Sequence, residues 1–558
     1  MVHYNRDKIN KYKEFNPLDD PKVKMATIGN GSIGGKAKGL IFAKNILAEE
    51  NNDFIKKILI PESSYISTEI FEDFIERNKL RTVVEDEELS FGELVECFSK
   101  GKFSNALLKD LEKLLLKMDY PLAIRSSSCL EDSLKYSFAG KYLTTFIPNR
   151  GTPLQRLEQL LDAVKLVYAS AYGPNAVAYR KKHKLPFEKM AVIVQRLIGK
   201  ERMGYFYPEL AGVAFSKNYR RWSERIKKED GVIRIVFGLG TTSTGRGYAR
   251  TYSLTNLALR AEGNNPIDIA RYSQETFDLL EMKTGKLVSF NINKKLELLK
   301  MHKNIGKIAQ VYSAPENTMK DIVLQTVEPV PGERIVFSFE PFSRYYKDFF
   351  DLMQSLFELL EREMGLAVDI EFTFDTEDNE FNLVQARALS SYEEFRRVKI
   401  PENIPDSSIV VKGDRMLTNG QLEGINYLVY VDHKIYNSIE DKASVAREVG
   451  WVNQSLEGEK YILIGPGRWG SSNKYLGVPV NYSEISNCGV LIELGFQQEG
   501  FAPELSYGTH FFADLDLNGI LYMPVFDSID TNIINRSSTI KLRKSLDFTG
   551  FILQKPVL

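Results

Sequence analysis

The sequence predicts an α/β fold of the mixed α+β kind, divided over more than one domain. Three observations carry that expectation. Apolar residues recur at helical spacing in several segments, short apolar runs alternate with them, and the chain is 558 residues long. At roughly 150 residues per domain, that length suggests three or four domain-sized units. Apolar residues make up 43% and charged residues 26%, so the material for real cores is present and wholesale disorder is excluded.

The elements follow in order. Residues 1–24 form a charged lead with no apolar core and small-residue cleavage site, so no secretory signal is expected. A Gly-rich stretch over 29–39 opens a helical pattern in which Ala37, Leu40, Ile41 and Leu47 share a face. Residues 58–60 before Pro61 read as a short strand, and Ile70, Phe71, Phe74 and Ile75 return to helical spacing. Further strands are expected at 122–124, 190–194, 212–215 and 232–237. The clearest helix spans about 344–364, with Phe349, Phe350, Met353, Leu356, Phe357 and Leu360 on one stripe and Gly365 placed to stop it. It should pack on a sheet, because Val368, Ile370, Phe372 and Phe374 then alternate with Asp369, Glu371, Thr373 and Asp375. Past 390 the pattern loosens, Pro401 and Pro405 bracket a linker, and a domain boundary is expected near 400. The remainder carries strand-like runs at 428–431, 461–464, 490–494 and 520–525.

Charge and cysteine usage exclude some function classes. Lys plus Arg number 73 against 74 Asp plus Glu, so nothing asks for nucleic acid or an anionic membrane as the main partner. Cys97, Cys129 and Cys488 are too few and too far apart for a disulfide framework or a thiolate metal site. No uncharged apolar run reaches the roughly 18 to 20 residues of a membrane-spanning helix. A soluble protein of the reducing cytoplasm is the expectation.

Three motifs could carry chemistry. In Gly29-Asn30-Gly31-Ser32-Ile33-Gly34-Gly35-Lys36-Ala37, glycines let the backbone approach a phosphate and Lys36 can meet its charge. A Walker loop is excluded, because Asn30 and Ala37 stand where a glycine and a hydroxyl are needed. Gly29-x-Gly31-x-x-Gly34 matches the dinucleotide fingerprint literally but sits in a polar helical run, not at a strand end. A structural Gly-rich turn with Lys36 solvated fits the motif as well. Next, Ile124-Arg125-Ser126-Ser127-Ser128 sets an arginine fork at a strand end before a hydroxyl-rich loop, suited to phosphate oxygens. Serines capping a turn, with Arg125 paired to Glu131 on the surface, is the equal alternative.

The third motif is a hairpin. The run 381–387 is joined to 368–374 by the acidic turn 375–380, and a turn centred near Asp378 places Glu371 opposite Gln385 and Asp369 opposite Arg387. Those four polar groups then share one face, while Ile370, Phe372, Val384 and Ala386 share the other. A carboxylate beside an amide carbonyl suits an oxygen-ligated Mg²⁺ bridging phosphates, although surface hairpins carry such residues too.

Taken together and in chain order, these motifs resemble the ATP-binding, ATP-grasp-type N-terminal domain of phosphoenolpyruvate synthases and pyruvate phosphate dikinases. Gly34-Gly35-Lys36, Ile124-Arg125-Ser126-Ser127, Glu131-Asp132-Ser133, Ser137-Phe138-Ala139-Gly140, Val194-Gln195, Gly238-Leu239-Gly240, and Glu371 with Gln385-Ala386-Arg387 carry the likeness over roughly 25–392. The resemblance implies ATP and Mg²⁺ as cofactors. Gly34, Gly35, Lys36 and Arg125 would lie at the ATP phosphates, Glu371 and Gln385 would ligate Mg²⁺, Arg387 would support the phosphates, and Gln195 would sit beside the adenine pocket. One departure is Thr241, where the family usually has a glutamate; Arg246 and nearby glycines could compensate. The expected organisation is a multi-lobed nucleotide-binding domain over 25–395, a linker over 396–406 and a smaller α/β domain of unassigned role over 407–558.

The resemblance also implies a swivelling phosphohistidine domain and a pyruvate-binding barrel, the latter about 250 residues in size. From Glu393 only 166 residues remain, so pyruvate as acceptor is not expected. The C-terminal part offers two motifs of its own. The loop 464–472 bears Arg468 and hydroxyls suited to an anion, and Ser506-Tyr507-Gly508-Thr509-His510 places a histidine in a small-residue turn. His510 is read as a phosphocarrier, a general base or a satisfied structural residue. The functional expectation is an ATP- and Mg²⁺-dependent phosphotransferase with an unknown phosphoryl acceptor. A non-catalytic nucleotide-binding regulator, or half of a split dikinase completed by a separate acceptor-domain protein, is the alternative.

Overall fold

The fold is taken from a computed structural model, which describes residues 6–85, 89–130, 142–182, 184–218, 225–242, 249–260, 264–322, 328–389, 405, 409–412, 420–471, 477–495, 506, 511, 515, 519–525, 538–549 and 552–554. Two compact units emerge, one within 1–177, 186–244 and 248–390, the other within 178–185, 245–247 and 391–558.

Two sheets of the first unit position the site. A five-stranded sheet runs in spatial order Thr27–Ile28, Ser63–Ile66, Met190–Arg196, Leu122–Ser128 and Thr144–Ile147. One face of its Leu122–Ser128 strand carries Leu122 and Ile124, both with no exposed area. Helices Thr68–Arg77, Phe91–Ser99 and Pro153–Ser170 contribute an aromatic cluster, with Phe71 and Tyr168 edge to face at 4.9 Å.

The six-stranded sheet runs Arg250–Ser253, Val232–Phe237, Leu210–Phe215, Val368–Asp375, Glu380–Ala388 and Ile58–Leu59. Helix Lys347–Met364 covers one face of it. The helix ends where Gly365 adopts a left-handed conformation at φ 72° and its N–H reaches the Glu361 carbonyl. Its N-terminal boundary falls at Tyr346, which breaks the expected 344–364 helix from a preceding turn of helix, Glu340–Tyr345. Phe349 packs on Phe372, Phe374 and Phe381 at centroid distances of 5.5, 5.0 and 6.0 Å. The other face of the sheet carries Asp369, Glu371 and Thr373.

The expected hairpin forms, with Asp369 opposite Arg387 and Glu371 opposite Gln385. Between Glu371 and Phe372 the register shifts, so that Leu383 faces Phe372 and Val384 is the extra residue of a β-bulge. Val384 therefore leaves the apolar face assigned to it, and Leu383 fills that place in the core. The turn end is fixed separately, because Glu209 Oε2 accepts from Thr376 N at 2.7 Å and Thr376 Oγ1 at 2.5 Å.

Two smaller antiparallel sheets, of four and three strands, complete the described part of this unit. The second unit holds a seven-stranded sheet ordered Ile409–Lys412, Ile552–Gln554, Ser538–Thr549, Gln421–Tyr430, Tyr461–Pro466, Cys488–Leu494 and Leu521–Val525. Its last four strands pair in parallel. Tyr461–Pro466 and Cys488–Leu494 are buried at every position, as interior parallel strands require.

Candidate functional site

Arg125 is where the two larger sheets of the first unit meet. The expected strand over 122–124 extends to Ser128, because the antiparallel strand Met190–Arg196 pairs with it along its whole length. Arg125 and the three serines are thus buried strand residues and not a surface loop. At 5% exposure, Arg125 cannot be the solvated partner of a surface carboxylate.

The guanidinium takes acceptors from three strands. Nη1 donates to Gln195 Oε1 at 3.1 Å and to the Val384 carbonyl at 3.1 Å. Nη2 donates to Gln385 Oε1 at 2.7 Å and to Glu371 Oε2. Gln195 is a diagonal neighbour on the same face, since Ala123 pairs with Gln195 and Arg125 with Ile193. Gln195 in turn donates to Ser63 Oγ at 3.2 Å. The Val384 bulge has a direct effect here: it aims a backbone carbonyl at the arginine fork.

Lys36 arrives on helix Gly34–Glu49. Gly34 has φ 78°, and a Cβ there would stand 1.8 Å from the Ser127 carbonyl oxygen. A Cβ on Gly39 would stand 2.2 Å from the Ala386 carbonyl oxygen. These glycines let the helix lie against a strand of each sheet. Gly35 lies in the same first turn. Ser127 closes the junction, its Oγ accepting from Ala37 N at 3.1 Å and donating to the Ile33 carbonyl at 2.7 Å. Lys36 is 9% exposed, and its Nζ donates to Ser126 Oγ at 3.1 Å, next to Arg125 in sequence. The solvated-lysine alternative does not hold.

Arg387 has a different setting. Its fork closes on Asp369, with Nε donating to Oδ1 at 2.6 Å and Oδ2 at 2.7 Å, and Nη2 to Oδ2 at 2.5 Å. Lys36, Arg125 and Arg387 thus outnumber the carboxylates Asp369 and Glu371, a balance that suits an anionic ligand.

The donor set fits a hard divalent cation. One carboxylate oxygen and one amide oxygen converge on a single point, now held by Arg125 Nη2. Among the described residues, no cluster of three or more His, Cys, Asp or Glu could hold a metal. A cation at Glu371 and Gln385 would complete its shell with ligand and water oxygens.

Sequence reasoning missed several neighbours. Arg234 lies in one cross-strand row with Val213, Glu371 and Gln385, and is 6% exposed. Asp278 accepts from Thr241 Oγ1 at 2.5 Å, so a carboxylate from another strand stands beside Thr241. Neither pairing is local in sequence, so no motif announces it. Arg246, Glu131 to Ser133, Ser137 to Gly140, His510 and nearly all of the expected linker lie outside the described residues.

In the second unit, Arg468 of the 464–472 loop is a buried side chain, 3% exposed. Its loop is folded back, with Gly467 bridged to Gly477 and Gly470 N donating to the Val478 carbonyl at 2.8 Å. Glu493, fully buried, accepts from Trp469 N at 2.9 Å, Ser506 N at 2.7 Å, Tyr522 Oη at 2.5 Å and Ser506 Oγ. Burial pushes its carboxyl up to about 7, the hydrogen bonds opposing the shift.

This arrangement is that of a nucleotide-binding α/β domain, and comparison with known proteins defines it further. The chain belongs to the family described as pyruvate phosphate dikinase, AMP/ATP-binding domain, whose pattern matches residues 30–407. The fold of that portion is ATP-grasp-like. The chain is 29% identical over 186 residues to an uncharacterized phosphotransferase, YvkC, of Bacillus subtilis, covering 32% of this chain and 19% of that protein. It is 37% identical over 98 residues to phosphoenolpyruvate synthase of Deinococcus radiodurans, covering 18% of this chain and 11% of that one. It is 22% identical over 307 residues to a probable phosphoenolpyruvate synthase of Pyrococcus horikoshii, covering 55% and 30% respectively. The matched segment spans less than a third of each relative's length. The chain is therefore a member of an ATP-binding phosphotransferase family. No helix among the described residues is long and apolar enough to cross a membrane.

Proposed function

We propose that this protein is an ATP- and Mg²⁺-dependent phosphotransferase whose nucleotide site is centred on Arg125. The observation that carries the proposal is the convergence of Glu371, Gln385 and Gln195, from two sheets, on one buried guanidinium. Phosphoryl transfer depends mainly on positioning and on cations set around the phosphates. Lys36 and Arg125 would contact those phosphates, with Gly34 and Gly35 admitting the backbone close to them. Glu371 and Gln385 would ligate Mg²⁺, which when bound neutralises phosphate charge and orients the chain for transfer. Arg387 would support the phosphates one same-face step further along the hairpin while pinning Asp369. Gln195 would border the base.

The acceptor reaches the site directly, by way of phosphorylated His510, or from a separate acceptor-domain protein. The nucleotide-binding domain is assigned to 25–395, the linker to 396–406 and the acceptor-side domain to 407–558, in a cytoplasmic protein. Product analysis after incubation with ATP and Mg²⁺ tests the proposal. AMP plus phosphate indicates dikinase-type chemistry and ADP alone a simple kinase, and either must vanish in Glu371→Ala. Tight ATP binding without turnover would replace the proposal with the non-catalytic regulator, or with half of a split dikinase where a stable partner protein copurifies. Acid-labile label from ATP that is lost in His510→Ala would assign the carrier role.

A further inference from the structure

We propose that Arg125 is a displaceable cation: it occupies the oxygens that would ligate the metal, and it yields them only when a nucleotide phosphate draws it away. This rests on the metal assignment made above. Arg125 Nη2 lies 2.7 Å from Gln385 Oε1 and is also hydrogen-bonded to Glu371 Oε2. A Mg²⁺ ion needs oxygens at about 2.0–2.1 Å, so an ion bound to both groups would claim the point that Nη2 holds. Two positive centres cannot share it beside an arginine only 5% exposed. Metal and guanidinium are therefore competitors for Glu371.

Charge decides what releases the arginine. Of the four acceptors around the guanidinium, only Glu371 is a carboxylate; the others are two amide oxygens and a backbone carbonyl. If Glu371 turned to a metal, a buried guanidinium would be left without an anion, which is strongly unfavourable. A nucleotide phosphate removes that penalty and offers the fork a better partner. The exchange is balanced: the metal takes Glu371 and the phosphate takes Arg125. Geometry allows the change with little movement, since Nη1 stays anchored by Gln195 Oε1 and the Val384 carbonyl at 3.1 Å each. Nη2 is the end that swings. Metal and nucleotide should then bind with strong positive coupling, and metal alone should bind weakly.

Mn²⁺ binding to the full chain without nucleotide, read from the electron paramagnetic resonance of free Mn²⁺, tests the proposal. Wild type should bind weakly, Arg125→Met at least tenfold more tightly, and Arg125→Lys in between. Adding Glu371→Gln to Arg125→Met should abolish the gain. Equal affinity in wild type and Arg125→Met overturns displacement and leaves the metal site standing. Tight binding that survives Glu371→Gln overturns the metal assignment itself. Should Arg125→Met lose its fold by circular dichroism, Arg125→Lys decides, and no gain in Mn²⁺ affinity there overturns the proposal.

Discussion

Two glycines allow the cost of the helix–strand junction to be separated from the cost of backbone conformation. Gly34 and Gly204 have nearly the same left-handed backbone, φ 78° and φ 80°. A Cβ at Gly204 meets nothing within 4 Å, whereas one at Gly34 would lie 1.8 Å from the Ser127 carbonyl oxygen and 2.4 Å from its carbon. Gly204→Ala should therefore cost only the left-handed penalty, about 1 kcal/mol. Gly34→Ala carries the same penalty and must also push the helix off the strand. That movement breaks the bonds from Ala37 to Ser127, from Ser127 to Ile33 and from Lys36 to Ser126. At about 1 kcal/mol for each bond, the total should reach about 4 kcal/mol. Urea unfolding of both variants, with ATP affinity measured by calorimetry, reads the two effects. Gly34→Ala should lose stability and ATP binding together, and Gly204→Ala should keep its affinity. Equal destabilisation of the two variants, or a Gly34→Ala protein with unchanged ATP affinity, would refute the packing account of this motif.

Asp369→Asn leaves the buried Arg387 without its carboxylate and should destabilise the protein by about 3 kcal/mol in urea unfolding, whereas joint Asp369→Leu and Arg387→Met should recover much of that loss. Glu493 binds its proton more tightly folded, near pH 7, than unfolded in the ordinary glutamate range. Its contribution to stability is therefore complete at low pH and is lost as pH rises through about 7, a change of about 3 kcal/mol. Glu493→Gln should flatten that slope in melts taken from pH 5 to 8. Glu371→Ala should abolish ATP consumption and also lower the melting temperature, because it leaves the buried Arg125 without the one carboxylate among its acceptors, whereas Glu371→Gln, which keeps an acceptor oxygen, should lower it less.

What the sequence made legible follows the range of the interactions involved. The hairpin register could be read because its two strands alternate cleanly and a short acidic turn joins them, so a single local pairing set both Glu371 with Gln385 and Asp369 with Arg387. Gly365 could be read for a similar reason, since a helix stop is a local event. Arg125 stood out as a residue, but its surroundings did not. Its partners come from as far along the chain as Gln385, and the length of its strand is set by pairing with Met190–Arg196. Short polar strands such as Thr318–Asp321 carry no alternation and exist only because neighbours pair with them. Ser127 is legible as a hydroxyl in a phosphate-type motif, while its bonds to Ala37 and Ile33 depend on a helix some 90 residues away in sequence.

The bulge at Val384 bears on how this hairpin tolerates a change in length. On the site side Glu371 faces Gln385, and on the turn side Phe372 faces Leu383, so each half already shows its polar and aromatic residues to the correct faces. Deleting Val384 would join the two halves into one uninterrupted ladder without flipping any other side chain. The chain would lose the carbonyl that accepts from Arg125 Nη1 and, at 3.5 Å, from Gln195 Nε2. One-residue deletions in a strand ordinarily invert everything beyond them. Here the shorter chain is the simpler β-structure, and the extra residue stands where its carbonyl meets the arginine.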